Sequence, residues 1–155
     1  MNGTDMGKKE KARALFLSGA NCAQAVVGAF DEDCGLDRET ALKLASGFGG
    51  GMGRLREVCG AVSGMFMAAS LERGYSDLKD KQAKDRHYAL IQKLAERFRA
   101  ETGSIICREL LGLSSDNGEG PVSEKRSAEY YKKRPCAELV VLAAQILEEE
   151  LGSRP

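Results

Sequence analysis

The chain has no tryptophan, a single histidine and no excess of charge: 23 Lys and Arg stand against 23 Asp and Glu in 155 residues. With both signs mixed along the sequence there is no electrostatic footprint for a phosphate backbone or an anionic membrane, so nucleic acid is not expected as a partner. The lone His87, set among Lys84, Asp85 and Arg86, reads as a solvated side chain. One histidine cannot supply a mixed His cluster for a metal, and it leaves no Ser/His/Asp or Cys/His pairing to build elsewhere. Long apolar runs are missing too. The longest weakly polar stretch, Gly60 to Leu71, has 12 residues against the ~20 needed to cross a bilayer, so it reads as a buried helix and no membrane insertion is expected. Lys8, Lys9 and Lys11 ahead of Ala14 to Leu17 and Cys22 superficially suggest a lipoprotein signal, but four apolar residues are too few for its hydrophobic region. A cytoplasmic location follows as the expectation, and thiols there are normally reduced.

What remains is 43% hydrophobic and 30% charged, the composition of one globular domain over residues 1–155, with 1–7 and 152–155 expected to fray. A chain of this size buries on the order of 70% of its unfolded surface, so it has a core without disulfides. Helical periodicity dominates and sustained alternation is absent, which predicts an all-α, single-domain compact bundle of about six to eight helices. Ala12, Leu15 and Phe16 mark a first helix ending near Gly19. Ala23, Val26, Val27 and Phe30 mark a second, opened by Asn21 and Gln24 in capping-box spacing. Ala41, Leu44, Ala45 and Phe48 give a third behind Asp37, and the Gly60 to Leu71 run a fourth. A fifth is expected from about Asp77 to Ala100, closed by Gly103, a short sixth after Ser104, and a last one from Pro135 to about Glu150. Leu113 to Val122 reads as a surface loop, Glu148-Glu149-Glu150 as a solvated face, and Tyr130-Tyr131 before Lys132-Lys133 as an amphipathic edge.

Five glycines fall between Gly47 and Gly53, in the glycine-rich connection of the first half. The run fails both nucleotide motifs: Met52 stands where the dinucleotide fingerprint needs its third glycine, and no Gly-Lys-Ser/Thr follows. The preceding segment is helical where both motifs need a strand. A tight connection between closely approaching backbones is the reading.

The cysteines carry the chemical information. Cys22, Cys34, Cys59, Cys107 and Cys136 show no Cys-x-x-Cys spacing, so a shared site would have to be assembled by folding. Four of them open helices: Cys22 follows Asn21, Cys59 ends the glycine-rich connection, Cys107 lies three after the cap candidate Ser104, and Cys136 follows Pro135. A helix start favours an anion by roughly 0.3–2 kcal/mol, which predicts more reactive thiols there than at Cys34, set among Asp31, Glu32 and Asp33. Four thiolates within ~4 Å would repel by about 4 kcal/mol per pair at a dielectric of ~20. Converging cysteines must then be protonated, paired as disulfides, or neutralised by a metal or an iron–sulfur cluster. Buried, inert cysteines are the alternative.

Asn21-Cys22-Ala23-Gln24, the Ser46 to Gly53 run, Cys59-Gly60-Ala61-Val62-Ser63-Gly64 and the single Cys107 and Cys136 together resemble the C-GCAxxG-C-C family of redox-active proteins, over about residues 12 to 145. The resemblance implies that Cys22, Cys59, Cys107 and Cys136 are the four characteristic cysteines, as redox thiols or as ligands, with Cys34 extra. It implies electron transfer through an iron–sulfur cluster or thiol/disulfide exchange, with Gly51, Gly53, Gly60, Ala61 and Gly64 flanking the cofactor. An all-cysteine zinc site for metal binding or sensing is the second reading, and a helical interaction module the third. A redox partner protein is expected, and a homo-oligomer is left open.

Overall fold

Apolar side chains recurring every three or four residues put a stripe on one side of each helix, and burying those stripes against one another sets the architecture. The computed structural model describes residues 7–113, 120–128, 130 and 134–152. Most of the expected 113–122 loop, Tyr131, Lys132, Lys133 and nearly all of both expected frayed ends lie outside the described residues. The fold is all-α, with no strand among the described residues. The elements are α1 (Lys8–Leu17), α2 (Cys22–Ala29), α3 (Arg38–Ala45), a 3-10 turn (Ser46–Phe48), the short α4 (Gly49–Met52), α5 (Gly60–Arg73), α6 (Lys81–Thr102), the short α7 (Cys107–Leu110) and α8 (Cys136–Gly152).

The helix α1 packs on α2 and α8, α2 on α5, and α5 on both α6 and α8. Phe16, Phe30, Met65, Phe98, Val140 and Leu147 fill the space between them and are almost wholly buried. A smaller cluster of Ala23, Val27, Ala41 and Ala45 joins α2 to α3, with Phe48 against it. Small residues let α2 and α5 approach closely. At Gly64 an added Cβ would lie 2.8 Å from the Ala23 carbonyl oxygen and 3.0 Å from Val26 Cβ, so this position serves helix packing.

Four expectations shift, each for a stated reason. The helix α6 starts at Lys81 because the Asp80 carboxylate accepts from the Ala83 amide at 2.9 Å, while Asp77 turns back to accept from the Lys79 amide at 3.0 Å. The helix α3 stops at Ala45, and Phe48 enters the core from the 3-10 turn instead. His87 is buried, with Nε2 2.8 Å from Ser70 Oγ on α5 and its ring edge-on to Tyr75. Its charged neighbours in sequence lie on other faces of the same helix, and α6 turns this one position inward. The acidic end of α8 is likewise clamped: Arg97 reaches Glu150 at 3.0 Å and also holds Glu149, with Lys93 at 3.2 Å from Glu150.

Candidate functional site

Cys22, Cys59, Cys107 and Cys136 line one cavity of about 60 Å³. Cys22 is the first residue of α2, held by a capping box in which Asn21 Oδ1 accepts from the Gln24 amide at 2.8 Å and Gln24 Oε1 accepts from the Asn21 amide at 3.0 Å. The amide group of Asn21 also donates to the Ser46 carbonyl at 3.1 Å, tying the start of α2 to the glycine run. Cys59 sits at the N-cap position of α5 and Cys107 at the start of α7. An isolated antiparallel bridge between Val58 and Ile106 places these two together: the Cys59 amide donates to the Ile105 carbonyl at 2.8 Å and the Cys107 amide to the Glu57 carbonyl at 2.6 Å. Ile106, and not Ser104, is the N-cap residue of α7; the Ser104 hydroxyl accepts from the Ile106 amide at 3.0 Å and donates to Glu109. Cys136 follows Pro135 and opens α8.

The glycine run brings the backbone against these thiols. Gly51, at φ +70°, has no room for a side chain: a Cβ would lie 2.6 Å from Cys107 Cβ and 2.8 Å from Arg56 Cα. At Gly60 a Cβ would lie 3.1 Å from Cys22 Cβ. Both glycines border the cavity, whereas Gly53 borders an adjoining groove. Ala61 is buried in the core and Gly64 packs on α2, so neither lines the cavity, because their side of α5 faces other helices.

Three arginines join the cysteines, and nothing in the sequence pattern singles them out as a group. Arg56, itself held at φ +60° and buried, directs Nη1 to Cys107 Sγ at 3.6 Å. Arg126 donates to the Phe16 and Ala20 carbonyls, both at 2.7 Å, and lies 4.2 Å over the Phe16 ring. Arg134 pairs with Glu124 at 2.6 Å and lies 5.8 Å from the Tyr130 ring centre. Only Arg134, two residues before Cys136, carries a local signal; the others reach the cavity through tertiary folding.

The thiols are not equivalent. Cys22 and Cys136 are half-buried, Cys59 and Cys107 buried. The Cys136 thiol is lowered to about 7, chiefly by a hydrogen bond from Cys22 and further by Arg134, Arg56 and Arg126, against the opposing effect of burial. Cys22, the donor, is held well above the usual thiol range by that same bond and by burial. Burial pushes Cys59 up to about 12 and raises Cys107, although Arg56 works the other way at Cys107. Helix-end amides act at Cys59, where Ala61 and Val62 lower the thiol but burial outweighs them; Cys136 is lowered by Cys22 and the arginines instead, Cys22 is raised by Cys136 and then by burial, and Cys107 is raised chiefly by burial. Cys34 lies apart, with its thiol directed to the Ala68 carbonyl at 3.6 Å, and is pushed up to about 11 by burial and by Glu72, Asp33 and Asp31.

Among the described residues no group of three or more His, Cys, Asp or Glu side chains is arranged to hold a metal ion. The four cysteines share one cavity, in which the Cys136 thiol is lowered while those of Cys22, Cys59 and Cys107 are raised. Among the described residues, too, no helix is long and apolar enough to cross a membrane.

No curated protein and no solved structure matches the chain. A family model does match, over residues 20–150, a span that takes in the capping box of α2, the glycine run and all four cysteines of the cavity. The chain thus belongs to the family described as "Putative redox-active protein (C_GCAxxG_C_C)".

Proposed function

We propose that the protein performs thiol/disulfide exchange, with Cys136 as the attacking thiolate and Cys22 as the resolving thiol. The observation that carries this reading is that Cys22 and Cys136, at the starts of α2 and α8, line one cavity together with Arg56, Arg126 and Arg134. Cys22 and the arginines favour a thiolate at Cys136, while Cys22 itself keeps its proton.

The oxidant is a disulfide, R–S–S–R. Cys136 Sγ⁻ attacks one sulfur, forming a mixed disulfide and releasing RS⁻. Cys22 then loses its proton to the released thiolate or to water, and its sulfur attacks Cys136 Sγ. The Cys22–Cys136 bond forms, the mixed bond breaks, and a second RS⁻ leaves. Two electrons have passed from the two cysteines to the disulfide. Neutralising Cys136 in the mixed disulfide removes the charge that held the proton on Cys22, so the first step favours the second. Buried Cys59 and Cys107 flank the pair and stay protonated.

Among the described residues no three His, Cys, Asp or Glu side chains are arranged to hold a metal ion, and no step is routed through a zinc ion or an iron–sulfur cluster. One experiment separates the readings. Protein purified anaerobically is assayed for iron, sulfide and zinc, then treated with one equivalent of a small disulfide and mapped by non-reducing peptide mass spectrometry. A Cys22–Cys136 linked peptide is expected. Stoichiometric iron with sulfide, stoichiometric zinc, or a linkage confined to other cysteines would overturn the proposal.

A further inference from the structure

A second hollow lies away from the thiols. It is about 440 Å³ in volume, within the ~300–1,000 Å³ common for small-molecule sites, and Arg73, Gly74, Tyr75, Ala83, Arg86 and His87 line it. It shares no described residue with the thiol cavity, and α5 joins the two regions, with Cys59 at its start and Arg73 at its end.

Two residues of its wall carry buried nitrogens that the fold leaves unpaired. Arg73 Nε and His87 Nδ1 are both enclosed, and neither has a hydrogen-bonding partner among the described residues. Contacts elsewhere on each group keep it from turning away. The guanidinium of Arg73 is anchored through Nη2, which donates to the Leu151 carbonyl at 2.6 Å. His87, only 9% exposed, is fixed by Ser70 Oγ at 2.8 Å from Nε2 and by the edge-on ring of Tyr75, its centre 6.3 Å away. Folded proteins pair nearly all buried polar groups, so two orphans bordering one hollow mark a place where a partner belongs.

The chemistry of that partner follows from the groups that meet it. Arg73 Nε carries a hydrogen on a permanently charged guanidinium and can only donate. His87 Nδ1 donates as well when the Ser70 hydroxyl gives its hydrogen to Nε2. Arg86, exposed on α6, brings a second guanidinium to the same wall. An anion rich in oxygen acceptors satisfies all three, and the planar fork of arginine suits it. The Tyr75 ring and the Ala83 methyl leave apolar surface for the rest of the molecule.

We propose that this hollow binds a small molecule through a carboxylate or phosphate group held by Arg73, His87 and Arg86. The site stands apart from the dithiol reading and does not depend on it.

His87 is the only histidine of the chain, so its ring gives a single set of NMR signals and reports on the hollow directly. Reduced full-length protein labelled with nitrogen-15 histidine is titrated with sodium phosphate and, separately, with sodium acetate. The pH is fixed and the ionic strength is held at about 0.1 M with sodium chloride, so that screening stays constant. At least one of the two anions should move the His87 ring signals along a saturating curve with a midpoint below about 10 mM, within reach of so small a ligand. Saturation by phosphate alone assigns a phosphate group, by acetate alone a carboxylate, and by both an oxyanion of either kind. Arg86→Gln, a change at an exposed position, should raise the midpoint by about fivefold. Arg73→Gln should abolish saturation; if that variant folds poorly, Arg86→Gln decides the question by itself. Signals that fail to saturate with either anion, or a midpoint unchanged in Arg86→Gln, would overturn the proposal.

Discussion

Val58 and Ile106 pair across an isolated antiparallel bridge, and each is followed directly by a cysteine of the cavity. The two amides that close this bridge belong to Cys59 and Cys107 themselves. The hydrogen bonds thus fix the backbone of the thiol-bearing residues, which relieves the side chains of that task. Amide exchange should be slow at Cys59 and Cys107 when followed by NMR or by overlapping-peptide mass spectrometry. Exchange at both positions at the rate of an unstructured peptide would mean that the bridge does not persist in solution.

The thiols should separate cleanly in a pH-resolved labelling experiment. Cys136 is lowered to about 7, Cys34 raised to about 11 and Cys59 to about 12. A lowered thiol gains its reactive thiolate as pH rises through the lowered value, so iodoacetamide labelling of Cys136 should rise through about pH 7 and level off above it. Cys34 should still be climbing at pH 9. Mass-spectrometric mapping of reduced protein gives each profile, and faster labelling of Cys34 than of Cys136 at neutral pH would contradict this ordering.

Removing the donor should weaken the acceptor. In Cys22→Ala the Cys136 thiolate loses its leading stabilisation while the arginines remain. A hydrogen bond to a charged group contributes about 1.5 kcal/mol and one pKa unit is about 1.4 kcal/mol, so the Cys136 labelling midpoint should move up by roughly one unit. Arg134→Gln should move it the same way by less, because Arg134 ranks below the Cys22 bond among the causes. An unchanged midpoint in Cys22→Ala would show that the two sulfurs do not interact.

How much of this was legible in the sequence follows from the range of each interaction. The capping box of Asn21 and Gln24, the Asp37 cap of α3 and the Gly103 stop of α6 are local, and spacing alone predicts them. That four cysteines open helices was legible for the same reason. Which thiol is acidic was not, since Cys136 is lowered by Cys22, 114 positions away, and by arginines that folding brings to the same cavity. Arg126 illustrates the same limit: its carbonyl partners on and after α1 are more than a hundred residues away. His87 shows a different one, because charged sequence neighbours say nothing about which helical face a residue occupies.

Two glycines of the same run should respond very differently to alanine. Gly51 adopts a left-handed conformation, and a Cβ there would sit 2.8 Å from Arg56 Cα and from the Glu57 amide nitrogen, backbone atoms that are themselves fixed by hydrogen bonds from Glu57 to Gly51 at 2.9 Å and from Cys107 to Glu57 at 2.6 Å. Relief requires moving the segment that carries Arg56 and, through the bridge, Cys107. Strain at a left-handed position and the clash together should cost on the order of 2–4 kcal/mol in Gly51→Ala. Gly47 has ordinary φ and open space around it, so Gly47→Ala should change stability by no more than about 0.5 kcal/mol. Urea unfolding of the reduced proteins measures both. Labelling adds a readout specific to the cavity: displacement of the segment should speed alkylation of buried Cys107 in Gly51→Ala while leaving Cys34, which lies outside the cavity, unchanged. Equal stability of the two variants, with Cys107 still protected, would show that the close approach at Gly51 does not organise the site.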